Sequence, residues 1–242
     1  MNTKFLSALT ATAAATAMFG AAAPAHAFSF GSGGITFQEK TEVSFNFLQS
    51  YGAYTSKLGV YLVNGGKASS DPIATLFEEV KSSDIGSWGD WKGTPGNTVL
   101  NGTVKYTFEP NLIYTLGLSS VGLDGKNAGT VYSTSALNLP GGTQQAVFGT
   151  PNVLLPLVLD PPDHKKFAGN PGDFTLGSSL FDKGVGTAIS FDDKGNGLDA
   201  DFQDFTVTAE AVPEPMTMTG LALGLGGLVA ARRRRRGSNT AS

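Results

Sequence analysis

The chain has 242 residues, of which 17 are basic and 20 acidic, with two histidines and no cysteine. The missing cysteine excludes thiol catalysis, zinc–cysteine sites and disulfide scaffolds. All five arginines sit in one run near the end, so residues 28–212 carry eleven lysines against nineteen acidic groups, and so acidic a body argues against a nucleic-acid partner.

The N-terminus reads as a secretory signal. Lys4 supplies a small positive region, residues 5–23 are rich in Ala, Leu, Phe and Thr, and Ala25-His26-Ala27 fits a small-x-small cleavage site. Residues 1–27 are therefore expected to be removed, leaving a body over 28–211 that is large enough for one domain with a core of its own. The joint and tail from 212 to 236 and a polar trailer, 237–242, complete the chain.

The body is predicted to be all-β. Residues 35–48 alternate, with Val43, Phe45 and Phe47 against Glu42, Ser44 and Asn46, as a half-buried strand does. Residues 57–63 form the next strand, closed by Asn64-Gly65-Gly66, a hairpin signal. One short helix is predicted over 72–82. Asp71 would cap it, Pro72 would occupy its first turn, and Leu76, Phe77 and Val80 would face the sheet. Glu78 and Glu79 would then lie on its solvated face.

Residues 84–97 read as a loop holding Trp88 and Trp91. Two loop tryptophans are able to stack on sugar rings, and the plainer reading is that they cap the core. Strands are predicted over 98–108, 112–118, 130–137 and 144–148, with a turn-rich stretch at 123–130. The apolar segment 153–159 runs into Asp160-Pro161-Pro162, which ends any strand. His164, alone between Asp163 and Lys165, has no serine-centred nucleophile motif near it and reads as a surface residue. Many short strands between Gly/Pro turns point to a β-sandwich with Greek-key or jelly-roll connections.

The strongest candidate site in the body is the connection between a strand over 187–191 and another through Phe205, Val207 and Ala209. It carries Asp192, Asp193, Asn196, Asp199, Asp201 and Asp204. Carboxylates this crowded repel, and a hard divalent cation such as Ca²⁺ would relieve them. It is not an EF-hand, because Lys194 and Gln203 stand where ligands would belong. The plainer alternative is a solvated turn that protects the hairpin from aggregation. A carboxylate pair for glycoside hydrolysis would need one acid with a raised pKa and a cleft. The spacing Asp199-x-Asp201-Phe202-x-Asp204 resembles an Asp-rich element in a domain of unknown function found in bacterial surface proteins. That resemblance covers residues 180–211 and implies a β fold and a calcium role.

The tail has three ordered parts. Pro213-Glu214-Pro215 comes first, then sixteen uncharged residues from Met216 to Ala231, then Arg232, Arg233, Arg234, Arg235 and Arg236. As a helix the apolar part would reach roughly 24 Å, short of the ~30 Å bilayer core, and snorkelling arginine stems would extend it. The basic cluster would stay on the cytoplasmic side. The pattern resembles the PEP-CTERM sorting signal of Gram-negative bacteria. The resemblance implies that an exosortase, a membrane transpeptidase-like protease, recognises Pro213, Glu214 and Pro215. It also implies transient passage through the inner membrane and delivery to the cell surface or extracellular matrix, beside exopolysaccharide or biofilm.

The function expected from the sequence is that of an exported, non-enzymatic structural or adhesive protein, with Ca²⁺ at the six loop residues. Two alternatives stay open. One is a polysaccharide-binding module or glycoside hydrolase of the matrix. The other is a C-terminally anchored membrane protein that is never processed.

Overall fold

A computed structural model describes residues 28–85, 91–138, 143–158, 180, 186–193 and 202–212. The leader, the sorting tail and its trailer lie outside these residues. The described chain is mostly β-strand, in two antiparallel sheets that share one core.

The first sheet is built on β9 (Ile113–Val121). One edge of β9 takes β4 (Thr55–Asn64), and the other takes β2 (Gly34–Phe37) and β10 (Asn127–Tyr132). Strand β1 (Phe28–Gly31) adds to β2, while β5 (Lys67–Ala68) and β6 (Ala74–Glu78) share the outer edge of β4. The second sheet runs β11 (Ala146–Gly149), β12 (Thr187–Phe191), β13 (Phe205–Ala211), β3 (Thr41–Tyr51). The far edge of β3 is shared by β8 (Thr103–Phe108) and the two-residue β7 (Lys92–Gly93).

The alternation read from the sequence is what faces β3 inward. Thr41, Val43, Phe45, Phe47 and Gln49 are buried, and the residues between them are half-buried. Opposite them the first sheet contributes Ile35, Leu58, Val60, Leu116 and Leu118 to the same cluster. Phe108 joins the two sides. Its ring centroid lies 5.1 Å from Phe37, 5.1 Å from Tyr114 and 4.7 Å from Tyr106. The pattern is sandwich-like, with each strand burying one face against the other sheet.

A second, smaller cluster lies on the other face of β12, where every residue is buried. The helix α1 (Pro151–Val158) covers it, and Leu154 packs with Val147, Ala188 and Phe202.

Several local expectations are corrected. There is no helix over 72–82. Those residues include β6, which pairs with β4 through Leu58↔Phe77 and Lys57↔Glu78. Asp71 and Pro72 suit a helix start, but the open edge of β4 offers backbone partners that outweigh local propensity. Leu76 and Phe77 are buried as expected, whereas Val80 is exposed and Glu79 is buried. The short helix falls instead within the apolar segment at 151–158, and a 3₁₀ turn occupies Ser135–Leu137 where strand was expected. The strand expected over 35–48 is two strands, broken at 38–40, and that over 98–108 starts only at Thr103. The Asn64-Gly65-Gly66 signal does close a hairpin: Asn64 pairs with Lys67, and both glycines have positive φ, as a tight turn of this kind requires.

Replacing Phe108 by Ala should destabilise the body by about 3–5 kcal/mol, since it empties the joint between the sheets. Leu100, 62% exposed, should tolerate Ala within about 0.5 kcal/mol. Urea denaturation of the two variants beside the parent checks both values.

Candidate functional site

The acidic connection begins and ends where the sequence places it. Strands β12 and β13 form an antiparallel pair with Phe191 opposite Phe205, so Asp192, Asp193 and Asp204 sit at the base of the hairpin. Asn196, Asp199 and Asp201 lie outside the described residues. The three described aspartates are 1%, 5% and 5% exposed, so a solvated turn does not describe them.

Bonds from main-chain amides hold this base together. The Asp193 amide donates to Asp204 Oδ2 at 2.6 Å, and the Asp204 amide donates to the Phe191 carbonyl at 3.0 Å. The Asp192 amide donates to the Gln145 carbonyl at 3.0 Å, and the Tyr51 amide donates to the Asp204 carbonyl at 3.1 Å. The last bond ties the hairpin to the end of β3. Phe202 pins the other side of the loop. It is buried in the α1 cluster with φ at +49°, a left-handed conformation that a bulky residue adopts only under constraint.

The residue that the sequence reading missed is Glu79. It follows β6, is 4% exposed, and reaches the corner where β3 turns into β4. Its Oε1 bonds the Ser50 hydroxyl, and its Oε2 accepts the Ser56 amide at 2.7 Å. Its own amide donates to the Ser56 carbonyl at 3.0 Å. Gly93 lines the same corner, where any Cβ would strike the Ser50 hydroxyl and come 2.8 Å from Thr98 Cγ2. Burial pushes the Glu79 carboxyl up to about 8, and the charge of Asp193 adds to the rise, against the opposing hydrogen bonds from Ser50 and Ser56. Glu79 is therefore mostly protonated at neutral pH. A strand reading would have found it, because Phe77 and Glu79 are two residues apart and share a face.

Next to this corner, Asp84 clips the loop that leads to β7. It accepts the Thr94 amide and the Thr98 hydroxyl at 2.8 Å each and the Thr94 hydroxyl at 2.6 Å. Desolvation raises the Asp84 pKa, but the bonds from Thr94 and Thr98 outweigh it and the net shift is downward. Trp91 is half-buried, its carbonyl accepts the Gly52 amide at 3.1 Å, and Trp88 lies outside the described residues.

Chemically, the side chains described at this corner, those of Ser50, Glu79, Asp193 and Asp204, are oxygen ligands. Hard oxygen ligands suit Ca²⁺ better than a transition metal. Asp204 Oδ2 is already engaged by the Asp193 amide. Among the described residues no group of three or more His, Asp or Glu side chains is placed to hold a metal. Glu79 has the raised pKa that a glycosidase acid needs, yet it is buried and both its oxygens are taken up by Ser50 and Ser56. The other end of the body holds a shallow hollow of about 430 Å³ between β1, β2 and the start of β9. No protein-family model, curated protein or solved structure matches the chain.

Glu79 makes stability depend on pH. Its folded pKa lies above the unfolded value, so the folded state holds the extra proton between about 4.5 and 8. This contribution is fully present below the lower value and falls by up to about 1.4 kcal/mol per pH unit until it is lost above the higher one. Glu79→Gln should remove that slope, matching the parent at pH 5 and exceeding it at pH 8. Denaturation curves at the two pH values decide it.

Proposed function

We propose that this chain is an exported surface or matrix protein whose β body is non-enzymatic and is sorted by its C-terminal tail. In this reading the leader directs the body across the inner membrane. The Met216–Ala231 stretch and Arg232–Arg236 then hold it there until an exosortase acts at Pro213-Glu214-Pro215. The observation that carries the reading is the order of the tail: triplet, sixteen uncharged residues, then every arginine in the chain. The sandwich-like sheets, read with Greek-key or jelly-roll connections, give a stable unit for display without disulfides.

Ca²⁺ at the acidic hairpin belongs to the same reading. What supports it is the density of acids in the sequence: Asp192, Asp193, Asp199, Asp201 and Asp204 with Asn196, oxygen ligands of the kind that Ca²⁺ takes six to eight of.

Two measurements test the parts separately. Mass spectrometry of the mature protein from its own host should find a C-terminus near Pro213–Pro215 and no arginine run. An intact Arg232–Arg236 in the mature product would end the sorting reading. Calorimetry should show a higher Tm in excess Ca²⁺ than in chelator, because a ligand of the native state alone must stabilise it. An unchanged Tm removes the metal and leaves the sorting reading standing.

A further inference from the structure

Strand register divides the body into two ends. At one end Phe28 pairs with Phe37, Thr41 with Phe108, and Val43 with Ala211. The Val212 amide donates to the Glu42 carbonyl at 2.8 Å, and the Asn111 amide donates to the Phe37 carbonyl at 2.9 Å. The first described residue, the last described residue and the 109–112 connection therefore share this end. At the other end Thr55 pairs with Val121 and Ser50 with Phe205, which places there the β3–β4 corner, the 122–126 turn and the base of the acidic hairpin.

At the exit end Leu112 and Ile113 are 41% and 51% exposed, and they border the shallow hollow with Phe28, Thr36, Phe37 and Gln38. Val121 and Leu123 at the other end are 41% and 60% exposed, so apolar exposure alone does not set the two ends apart, and the length of the tether does.

Chain length then restricts where this end is able to go. Three residues, Pro213 to Pro215, separate Val212 from Met216, where the uncharged stretch begins, so four residue steps join the two. Fully extended, they span at most about 14 Å. An apolar stretch that enters a bilayer must therefore bring the exit end to within that distance of the lipid surface.

We propose that, while the tail is intact, the body stands end-on on the membrane, with Leu112 and Ile113 against the lipid surface and the acidic hairpin pointing away. The occupant of the apolar hollow and its rim is the bilayer itself. This rests on the tail being a membrane anchor, as proposed above. Strand β9 separates the two ends by roughly 25–30 Å, at about 3.3 Å per residue. The corner holding Glu79, Asp84 and Trp91 is then the face offered to the surroundings.

The absence of cysteine makes the test direct. Leu112→Cys and Leu123→Cys each introduce a single thiol at an exposed leucine, one at each end of the body. Each variant of the full chain is labelled with an environment-sensitive fluorophore. It is then reconstituted in phosphatidylethanolamine–phosphatidylglycerol vesicles with or without spin-labelled lipid. The label at 112 should be quenched several-fold more strongly than the label at 123. If both variants float with the vesicles but the labels are quenched equally, or 123 more than 112, the anchor stands and the end-on orientation is overturned. If the protein does not float with the vesicles, the anchor reading fails and the orientation falls with it.

Discussion

The pairing of β13 with β3 is the constraint on which the rest of the structure depends. Seven register pairs, from Phe205↔Ser50 to Ala211↔Val43, join the last described strand to one of the first. Strand β3 pairs on its other edge with β8 and β7, so it is the central rail of its sheet. A slip of one residue would turn Val207 and Ala209 away from the core and bring Thr208 and Glu210 inward in exchange. The register shift between Thr206 and Val207 adjusts the strand locally, so that the hairpin end still meets the end of β3.

Two consequences follow from that one pairing. Bringing Phe205 level with Ser50 sets Asp204 against Tyr51, and the base of the acidic hairpin next to the corner that holds Glu79. Bringing Ala211 level with Val43 places the chain's exit beside the start of β3, the 109–112 connection and Phe28. The same ladder thus sorts the described residues into an end with the base of the acidic hairpin and Glu79 and an end carrying the first and last of them. The acid-rich corner and the exit end are separated by the whole length of the sheets.

The corner also illustrates how a buried polar group is accommodated in a core dominated by phenylalanine. Glu79 takes donors from both sheets: Ser50 from β3 and the Ser56 amide from β4. Keeping the carboxyl protonated avoids a buried charge beside Asp193. Gly93 leaves the space in which Ser50 reaches it, and Asp84 braces the loop that carries Gly93. These residues lie as much as 43 positions apart, and each is necessary for the geometry of the next.

Local pattern was legible in the sequence wherever a single strand or turn decides its own form. The alternation of Val43, Phe45 and Phe47, the Gly65-Gly66 hairpin, and the strands on either side of the acidic connection all appear as expected. Reading failed at 72–82, where capping residues favour a helix and only the free edge of β4 makes a strand. That error concealed Glu79 on an imagined solvated face. By itself the sequence determined the acidic body, the missing thiols, the inward face of β3 and the order of charge along the tail, because each is a matter of composition or short-range period. Only tertiary structure decided which acids are buried, which carboxyl keeps its proton, and that the first and last described residues lie at one end. Those depend on which distant strands become neighbours and how far they exclude water, and no window of local sequence carries that information.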